Sequence, residues 1–106
     1  MVKVLLERKV KKQNLNRLLD YLMDLRSGSL RQPGYVTGET LISGQDPVTV
    51  LVISTWLSED HWKAWTTSPT RMEDNDMIER LLVGEARTSI FKVLAEDEAR
   101  VCTPAM

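Results

Sequence analysis

The sequence predicts an α+β domain of the ferredoxin-like, split β-α-β type, a four-stranded antiparallel sheet with its helices on one face. Hydrophobic residues recur with the period of a strand in four segments and with the period of a helix between them, in the order β-α-β-β-α-β. The chain has 106 residues, of which 42% are hydrophobic, and this is enough for one core. We therefore expect one domain over residues 1–95 and a tail over residues 96–106 that frays or loosely contacts a neighbour.

The four predicted strands differ in how strongly their composition indicates them. In the first, Val2, Val4 and Leu6 alternate with mostly polar residues. The third is β-branched and aromatic almost without a break, which is typical of a strand covered on both faces. Loop residues 43–47 join the second and third strands into a hairpin. The strands are predicted at residues 2–10, 35–42, 48–56 and about 85–94.

The first helix is predicted from Asn14 to about Arg31. Leucines recur there at intervals of three and four, and polar residues occupy the other side. The helix crosses Gly28, a locally weak position because glycine has a low helix propensity. It ends before the turn that Pro33 and Gly34 indicate.

The second helical region is predicted as two pieces. The Ser58 hydroxyl can accept a hydrogen bond from the first free N–H groups of a helix beginning at Glu59. This helix cannot run past Ser68, because Pro69 disfavours helical geometry in the residue before it. A further piece follows, which either Thr70 or Ser68 can cap, and it ends at Gly84.

The third strand carries apolar side chains on both faces. Val50, Val52 and Trp56 share one face, and Leu51 and Ile53 share the other. The predicted helices cover one face of the sheet only, and an exposed apolar patch of this size normally marks an association surface. We therefore predict a homodimer whose two sheets face each other.

Composition and charge argue against several classes of protein. The net charge of -1 provides no electrostatic footprint for nucleic acid, and we interpret the basic run of Arg8-Lys9 and Lys11-Lys12 as a solvated corner. No apolar run reaches the length of a membrane span and no signal peptide is evident, so we expect a cytoplasmic protein. The single cysteine, Cys102, excludes an internal disulfide, and a single histidine argues against a conventional zinc site.

Residues 55–69 concentrate the chemistry of the chain, because all three tryptophans and the only histidine lie within them. On the short helix, Trp62 and Trp65 are three residues apart and His61 and Trp65 are four apart. Trp65 is therefore a neighbour of both on the helix surface. We expect any functional site to be built around this segment.

Three motifs within residues 2–94 resemble those of the antibiotic biosynthesis monooxygenase family. They read P-G-Y-x-x-G-E-T-L from Pro33 to Leu41, D-P-x-x-x-x-V-x-S-x-W from Asp46 to Trp56, and S-x-x-x-W-x-A-W-x-x-S-P from Ser58 to Pro69. The resemblance implies a dimeric α/β barrel with a pocket in each subunit between sheet and helices. It also implies oxygen chemistry, since characterised members include cofactor-independent monooxygenases acting on phenolic polyketides or quinols, and haem-degrading enzymes.

Trp65, His61 and Asn75 are the candidate catalytic residues. The position of Trp65 often carries histidine in relatives and tryptophan in the haem degraders, so it either lines the pocket or packs the core. His61 is in the first helical turn, where exposure is usual, but the helix N-terminus favours the neutral imidazole that acts as a base. Asn75 shares a helix face with Ile78 and Leu82, so its amide is either a satisfied structural group or a pocket donor.

Tyr35, Trp56 and Arg71 are the candidate substrate-binding residues. Core packing is an alternative role for Trp56, and we expect it for Trp62, because burying an indole is a large apolar contribution. Arg71 lies one helical turn before Asn75 and would meet an anionic ligand if it is not simply exposed.

A match to the haem-degrading subgroup requires asparagine on the first strand, tryptophan on the short helix and histidine as the iron ligand ten residues later. Here Trp65 matches, but the first position corresponds to Glu7 and the ligand position to Asn75. An amide is a poor replacement for imidazole on iron, so haem is the disfavoured alternative and we expect no cofactor.

The predicted function is that of a cofactor-independent monooxygenase acting with O2 on a small phenolic or quinol substrate. The pocket of such an enzyme must promote deprotonation of the substrate, hold the resulting anion and exclude water. In this hypothesis His61 is the base, and the Trp65 indole and the Asn75 amide donate hydrogen bonds to the oxyanion. A dimer that binds a small ligand without catalysis, and a haem-binding or haem-degrading protein, are the alternatives.

Overall fold

The computed structural model describes residues 1–97, and the part of the predicted tail that contains Cys102 lies outside them. The element order matches the predicted order, with the second helical region divided in two. The strands are β1 (Val2–Lys9), β2 (Tyr35–Ile42), β3 (Thr49–Trp56) and β4 (Arg87–Lys92), and the helices are α1 (Leu15–Ser29), α2 (Glu59–Thr66) and α3 (Pro69–Glu79).

The four strands form one antiparallel sheet in the order β2-β3-β1-β4. β1 is a central strand, pairing with β3 from Val2–Trp56 to Lys9–Thr49 and with β4 from Val2–Lys92 to Glu7–Arg87. β2 completes the other edge through its hairpin with β3. The prediction of an α+β, ferredoxin-like fold is confirmed.

The helix starts follow the predicted capping chemistry. The Ser58 hydroxyl accepts a hydrogen bond from the His61 backbone N–H at 3.2 Å, and the Ser68 hydroxyl accepts one from the Arg71 backbone N–H at 3.4 Å. Pro69 occupies the first turn of α3, where its missing N–H removes no helical bond. Both helices therefore begin where the sequence indicates.

α3 ends at Glu79, five residues before Gly84, where the sequence predicted its end. The reason is a competing backbone interaction, because the chain after α3 returns to the sheet. Val83 donates its N–H to the Lys9 carbonyl at 2.7 Å, and Leu82 forms an isolated bridge with Val10. Within residues 1–97 no helix is both long and apolar enough to cross a membrane.

The core between sheet and helices consists of two hydrophobic clusters. The first packs α1 and α3 against the sheet, and the second joins the ends of β1 and β3 to α2. The buried members of the first cluster are Val10, Leu18, Leu22, Val50 and Ile78. Those of the second are Val2, Val4, Trp56 and Trp65. The candidate site lies where the two clusters meet.

The face of the sheet opposite the helices, the helix-free face, carries a band of apolar side chains. The strand register places Leu5 beside Ile53, Leu51 beside Leu41, and Phe91 at the β4 edge on this face. Phe91 is 57% exposed and Leu41 is 42% exposed. The predicted distribution of apolar residues over both faces of the sheet is found, and the homodimer itself stays a prediction.

Candidate functional site

A cavity that is open to solvent on one side lies between the sheet and the helices, and it occupies about 570 Å³ when the solvent at its mouth is included. We call it the main cavity. Four aromatic side chains form much of its wall, namely Tyr35, Trp56, Trp62 and Trp65. Its charged lining residues are Arg8, Arg26, Glu39 and Arg71. The largely aromatic wall suits a small apolar ligand.

Local contacts hold the aromatic wall in place. Trp56 is 1% exposed and donates its indole N–H to the Ser54 hydroxyl at 3.0 Å. The Tyr35 ring meets it edge to face, with the ring centroids 5.2 Å apart and the planes at 76°. This arrangement is favourable for aromatic pairs, so the strand end presents a fixed surface to the cavity.

Trp65 reaches the main cavity because α1 carries a glycine opposite it. Trp65 is 6% exposed, and a Cβ built on Gly28 would lie 2.8 Å from its Cη2 atom. Such a distance is too short for a carbon–carbon contact. Gly28, which the sequence identified as a weak point of the helix, is therefore the position that lets the indole pack directly on α1.

Arg8 is buried in the wall of the main cavity, with 2% of its surface exposed. Its interpretation as part of a solvated corner is wrong, because even-numbered residues of β1 point toward the helices and Arg8 follows Val2, Val4 and Leu6 on that face. Among the described residues nothing accepts a hydrogen bond from Arg8 Nε. Burial, and secondarily the charge of Arg71, lower the pKa of Arg8 well below the usual range of arginine, to about 10.

Arg71 is a second guanidinium in the same wall. It is half-buried, and burial lowers its pKa too. The charge of the Glu79 carboxylate has the opposite effect and raises the pKa of both arginines. Within residues 1–97, however, no ion pair joins either arginine to a carboxylate. The main cavity is therefore electropositive at this point.

A more polar groove, the side cavity, adjoins the main cavity along α3 and β4. Leu6, Trp62 and Arg71 line both, so they form the partition between the two. Asn75 lines the side cavity and donates its side-chain N–H to Glu79 Oε1 at 3.2 Å. Its amide thus has a partner on its own helix, and a role as a pocket donor stays a prediction.

His61 lines neither cavity in the described structure. Its Nδ1 atom and the Ser58 hydroxyl share a hydrogen bond of 2.6 Å, and its ring packs on Gly34, which has a φ of +85°. Of the six predicted site residues, the main cavity collects Tyr35, Trp56, Trp65 and Arg71. The proposed role of His61 as a base stays a prediction, and the His61 side chain is not part of either cavity wall.

The sequence interpretation missed Arg8, Arg26 and Glu39. Arg26 donates to the Thr40 hydroxyl at 2.7 Å, which fixes it on the β2 side of the cavity. Arg8 had a recognisable pattern, since it continues the inward alternation of β1 between Leu6 and Val10. An arginine in that register is turned toward the helices rather than toward solvent.

Haem does not fit the donor groups of either cavity. Glu7, which stands at the strand-one position of the haem-degrading pattern, lies on the helix-free face with a carboxylate oxygen 3.9 Å from Arg87 Nη1. No histidine or cysteine among residues 1–97 lines either the main cavity or the side cavity, so neither offers the axial ligand that this pattern requires. Nor does the described part of the chain hold three acidic, histidine or cysteine side chains grouped for a metal ion.

Solved structures share this architecture at low sequence identity. SnoaB from Streptomyces nogalater, a cofactor-independent oxygenase, is 15% identical with a TM-score of 0.80, over 90% of this chain and 94% of that one. Rv0793 from Mycobacterium tuberculosis is 13% identical with a TM-score of 0.83, over 92% and 98%. A conserved protein from Methanosarcina mazei is 15% identical with a TM-score of 0.83, over 86% and 90%. These likenesses establish the fold.

Sequence comparison gives the family. No curated protein matches the chain significantly. The model of the antibiotic biosynthesis monooxygenase family matches residues 1–72, which contain β1 to β3, α1, α2 and the start of α3. This is more than half of the chain and includes the residues of the aromatic wall. The chain belongs to the antibiotic biosynthesis monooxygenase family.

Proposed function

We propose that this protein is a cofactor-independent monooxygenase that oxidises a small phenolic or quinol substrate with O2 in the main cavity. The observation that carries the proposal is the cavity itself, which four aromatic side chains and three arginines line. Membership of the family supports oxygen chemistry. The fold shared with SnoaB, a cofactor-independent oxygenase, supports chemistry without a cofactor.

The proposed reaction needs few protein groups. A phenol loses its proton, and the phenolate transfers one electron to O2 to give a radical pair. The pair combines at a ring carbon that carries hydrogen, and the resulting peroxide anion takes up one proton from solvent, which replaces the proton that the phenol lost. The hydroperoxide then loses water to leave a quinone. One oxygen atom enters the product and the other leaves as water, so phenol and O2 balance quinone and H2O. The protein must favour the phenolate and shield the intermediate from water.

The residues of the main cavity fit these two tasks. The positive charges of Arg8 and Arg71 favour the ionised form of a bound phenol, since an opposite charge nearby lowers the pKa of an acid. Trp56 and Trp65 exclude water from one side of the ring, and Trp65 is the predicted catalytic residue that lies in this wall. The open side of the cavity lets the phenol proton leave to solvent, so turnover does not require His61 as the base.

Oxygen uptake tests the proposal directly. The metal-free protein would be assayed against hydroquinones and dihydroxynaphthalenes, together with Trp65→Phe and the control Tyr21→Phe, whose ring lines neither cavity. We expect uptake above autoxidation that falls in Trp65→Phe and persists in the control. Uptake that is equal in all three proteins would place the chemistry outside the main cavity and refute the assignment.

A dimer that binds an aromatic ligand without catalysis is the second candidate. The observation that favours it is the position of His61, because no imidazole among the described residues lines the main cavity or the side cavity and could serve as a base there. A binder would show saturable quenching of tryptophan fluorescence by the same compounds with no oxygen uptake. An enzyme would show both.

We also propose that the protein acts as a homodimer through the helix-free face. A monomer would leave the apolar band that includes Leu41 and Phe91 in water, and contiguous exposed bands of this kind mark association surfaces. A two-fold dimer would bring the bands of two copies together and leave the main cavity on the other side of each sheet.

A further inference from the structure

The unusual feature of the main cavity is positive charge without a counter-ion. Arg8 is almost fully buried, and its Nε atom has no hydrogen-bond partner among the described residues. Buried charged groups in proteins are normally paired, because removing a charge from water is costly. A charged group left unpaired in a cavity wall therefore points to a partner that arrives with a ligand.

Positive groups outnumber negative ones in the wall of the main cavity. Arg8, Arg26 and Arg71 line it. Glu39 also contributes to the wall, but its pairing with Ile53 places its side chain on the helix-free face. Glu79, whose field reaches both Arg8 and Arg71, lines the side cavity instead. An anionic ligand would therefore complement the charge of the main cavity.

We propose that Arg8 and Arg71 form a subsite for the carboxylate of an aromatic acid whose ring lies against the tryptophans of the main cavity. The planar fork of a guanidinium matches the two oxygens of a carboxylate, so two arginines can fix the orientation of the group as well as its charge. The inference rests on the proposed function only in placing the aromatic ring of the ligand in this cavity. It adds that the substrate carries a permanent negative charge.

Titration calorimetry at neutral pH tests this subsite with 2-naphthoate and its neutral isostere 2-naphthamide. We expect the acid to bind about tenfold or more tightly than the amide, since a charge-assisted hydrogen bond in a poorly solvated site exceeds a neutral one. Arg8→Met and Arg71→Met should each weaken binding of the acid about tenfold while changing binding of the amide little. Arg17→Met removes an exposed arginine that lines neither cavity and should bind like the parent protein.

Two further ligands separate a carboxylate from other anions. We expect 2-naphthyl phosphate to bind more weakly than 2-naphthoate because a dianion loses more hydration on entering a poorly solvated cavity, and tighter binding of the phosphate would overturn the carboxylate assignment. With 2-naphthol, we expect affinity to rise with pH as the phenol ionises, whereas affinity for 2-naphthoate should stay level between about pH 6 and 8. Arg8→Lys keeps the charge without the fork and should bind the acid with intermediate affinity.

The inference is wrong if the parent protein binds acid and amide equally, binds no aromatic acid at millimolar concentration, or loses nothing on Arg8→Met. Its failure is distinguishable from failure of the oxygenase proposal. If the protein binds aromatic acids through the two arginines but takes up no oxygen, the carboxylate subsite is supported and the oxygenase proposal is refuted. If oxygen uptake with neutral hydroquinones depends on Trp65 but the protein does not bind acids more tightly than amides, the oxygenase proposal is supported and the carboxylate subsite is refuted.

Discussion

Replacing Arg8 by methionine should stabilise the protein in the absence of ligand. Arg8 is 2% exposed with an Nε that has no partner among the described residues, and burial lowers its pKa well below the usual range of arginine, to about 10. A pKa difference of this size corresponds to about 3 kcal/mol of unfavourable free energy for the charged form in the folded state. Methionine keeps an unbranched apolar stem of similar reach and removes the charge.

The expected gain is smaller than the full electrostatic cost, because methionine loses favourable contacts of the guanidinium with cavity water and with the field of Glu79. Exchanges of buried charged groups for apolar ones stabilise proteins by about 1–4 kcal/mol, and we expect a value near the lower end. For a domain of this size, 1 kcal/mol corresponds to roughly 4–8 °C in Tm. Arg8→Met should therefore melt at least about 5 °C above the parent protein.

Thermal unfolding followed by circular dichroism measures this gain, at one protein concentration because association would shift Tm. The cationic form of Arg8 predominates in both folded and unfolded states below about pH 10, so the gain should be the same at every pH between 6 and 8. The exposed control Arg17→Met should stay within about 0.5 kcal/mol of the parent. If Arg8→Met lowers Tm as a core truncation does, Arg8 stabilises the fold and the reasoning from its missing partner is refuted.

Three other perturbations test separate parts of the structure. Gly28→Ala should destabilise the protein by about 1–2 kcal/mol in urea unfolding, because overpacking against the Trp65 indole outweighs the gain in helix propensity. The control Gly44→Ala should cost little, since its added methyl group would have nothing within 4 Å. Equal effects of the two substitutions would contradict the close packing of Gly28 on Trp65. Phe91→Asp should convert the expected dimer into monomers in sedimentation at micromolar concentration, and a parent protein that is already monomeric would refute the facing-sheet proposal. Burial and the neighbouring Asp24 raise the pKa of Asp74 from 3.8 to about 6, so its ionisation destabilises the folded state increasingly as pH rises through that interval. Asp74→Asn should therefore raise Tm more at pH 8 than at pH 4. An equal gain in Tm at both pH values would refute this prediction.

The sequence predicted the fold well because the patterns that determine it are local. The alternation in β1 and the uninterrupted apolar run of β3 require strands, and the serines before α2 and α3 set where those helices begin. The end of α3 was misplaced because it depends on a contact across the fold, the hydrogen bond from Val83 to Lys9. A helix end that is determined by contact with a distant strand cannot be recognised from the residues around it.

The candidate site was predictable in its aromatic part and less so in its charges. Trp56 and Trp65 were identified because tryptophans are rare, and their spacing on known elements decides where they point. Arg8 was missed because its neighbours Lys9, Lys11 and Lys12 are exposed, and the composition of that run outweighed the strand register. His61 was favoured by its uniqueness, but its hydrogen bond with Ser58 at the helix start holds the ring away from the cavities.

The two arginines connect the stability of this fold to its proposed activity. A buried cation without a partner costs free energy in the ligand-free protein, and the same cation favours an anion that enters the cavity. The ligand that relieves the cost must therefore stabilise the folded state, by about 2.7 kcal/mol at a concentration one hundred times its dissociation constant. Because that relief requires Arg8, an aromatic acid should narrow the difference in Tm between the parent protein and Arg8→Met, whereas the neutral amide should leave the difference nearly unchanged. If the acid raises the Tm of the parent protein and of Arg8→Met to the same extent, Arg8 does not interact with the ligand.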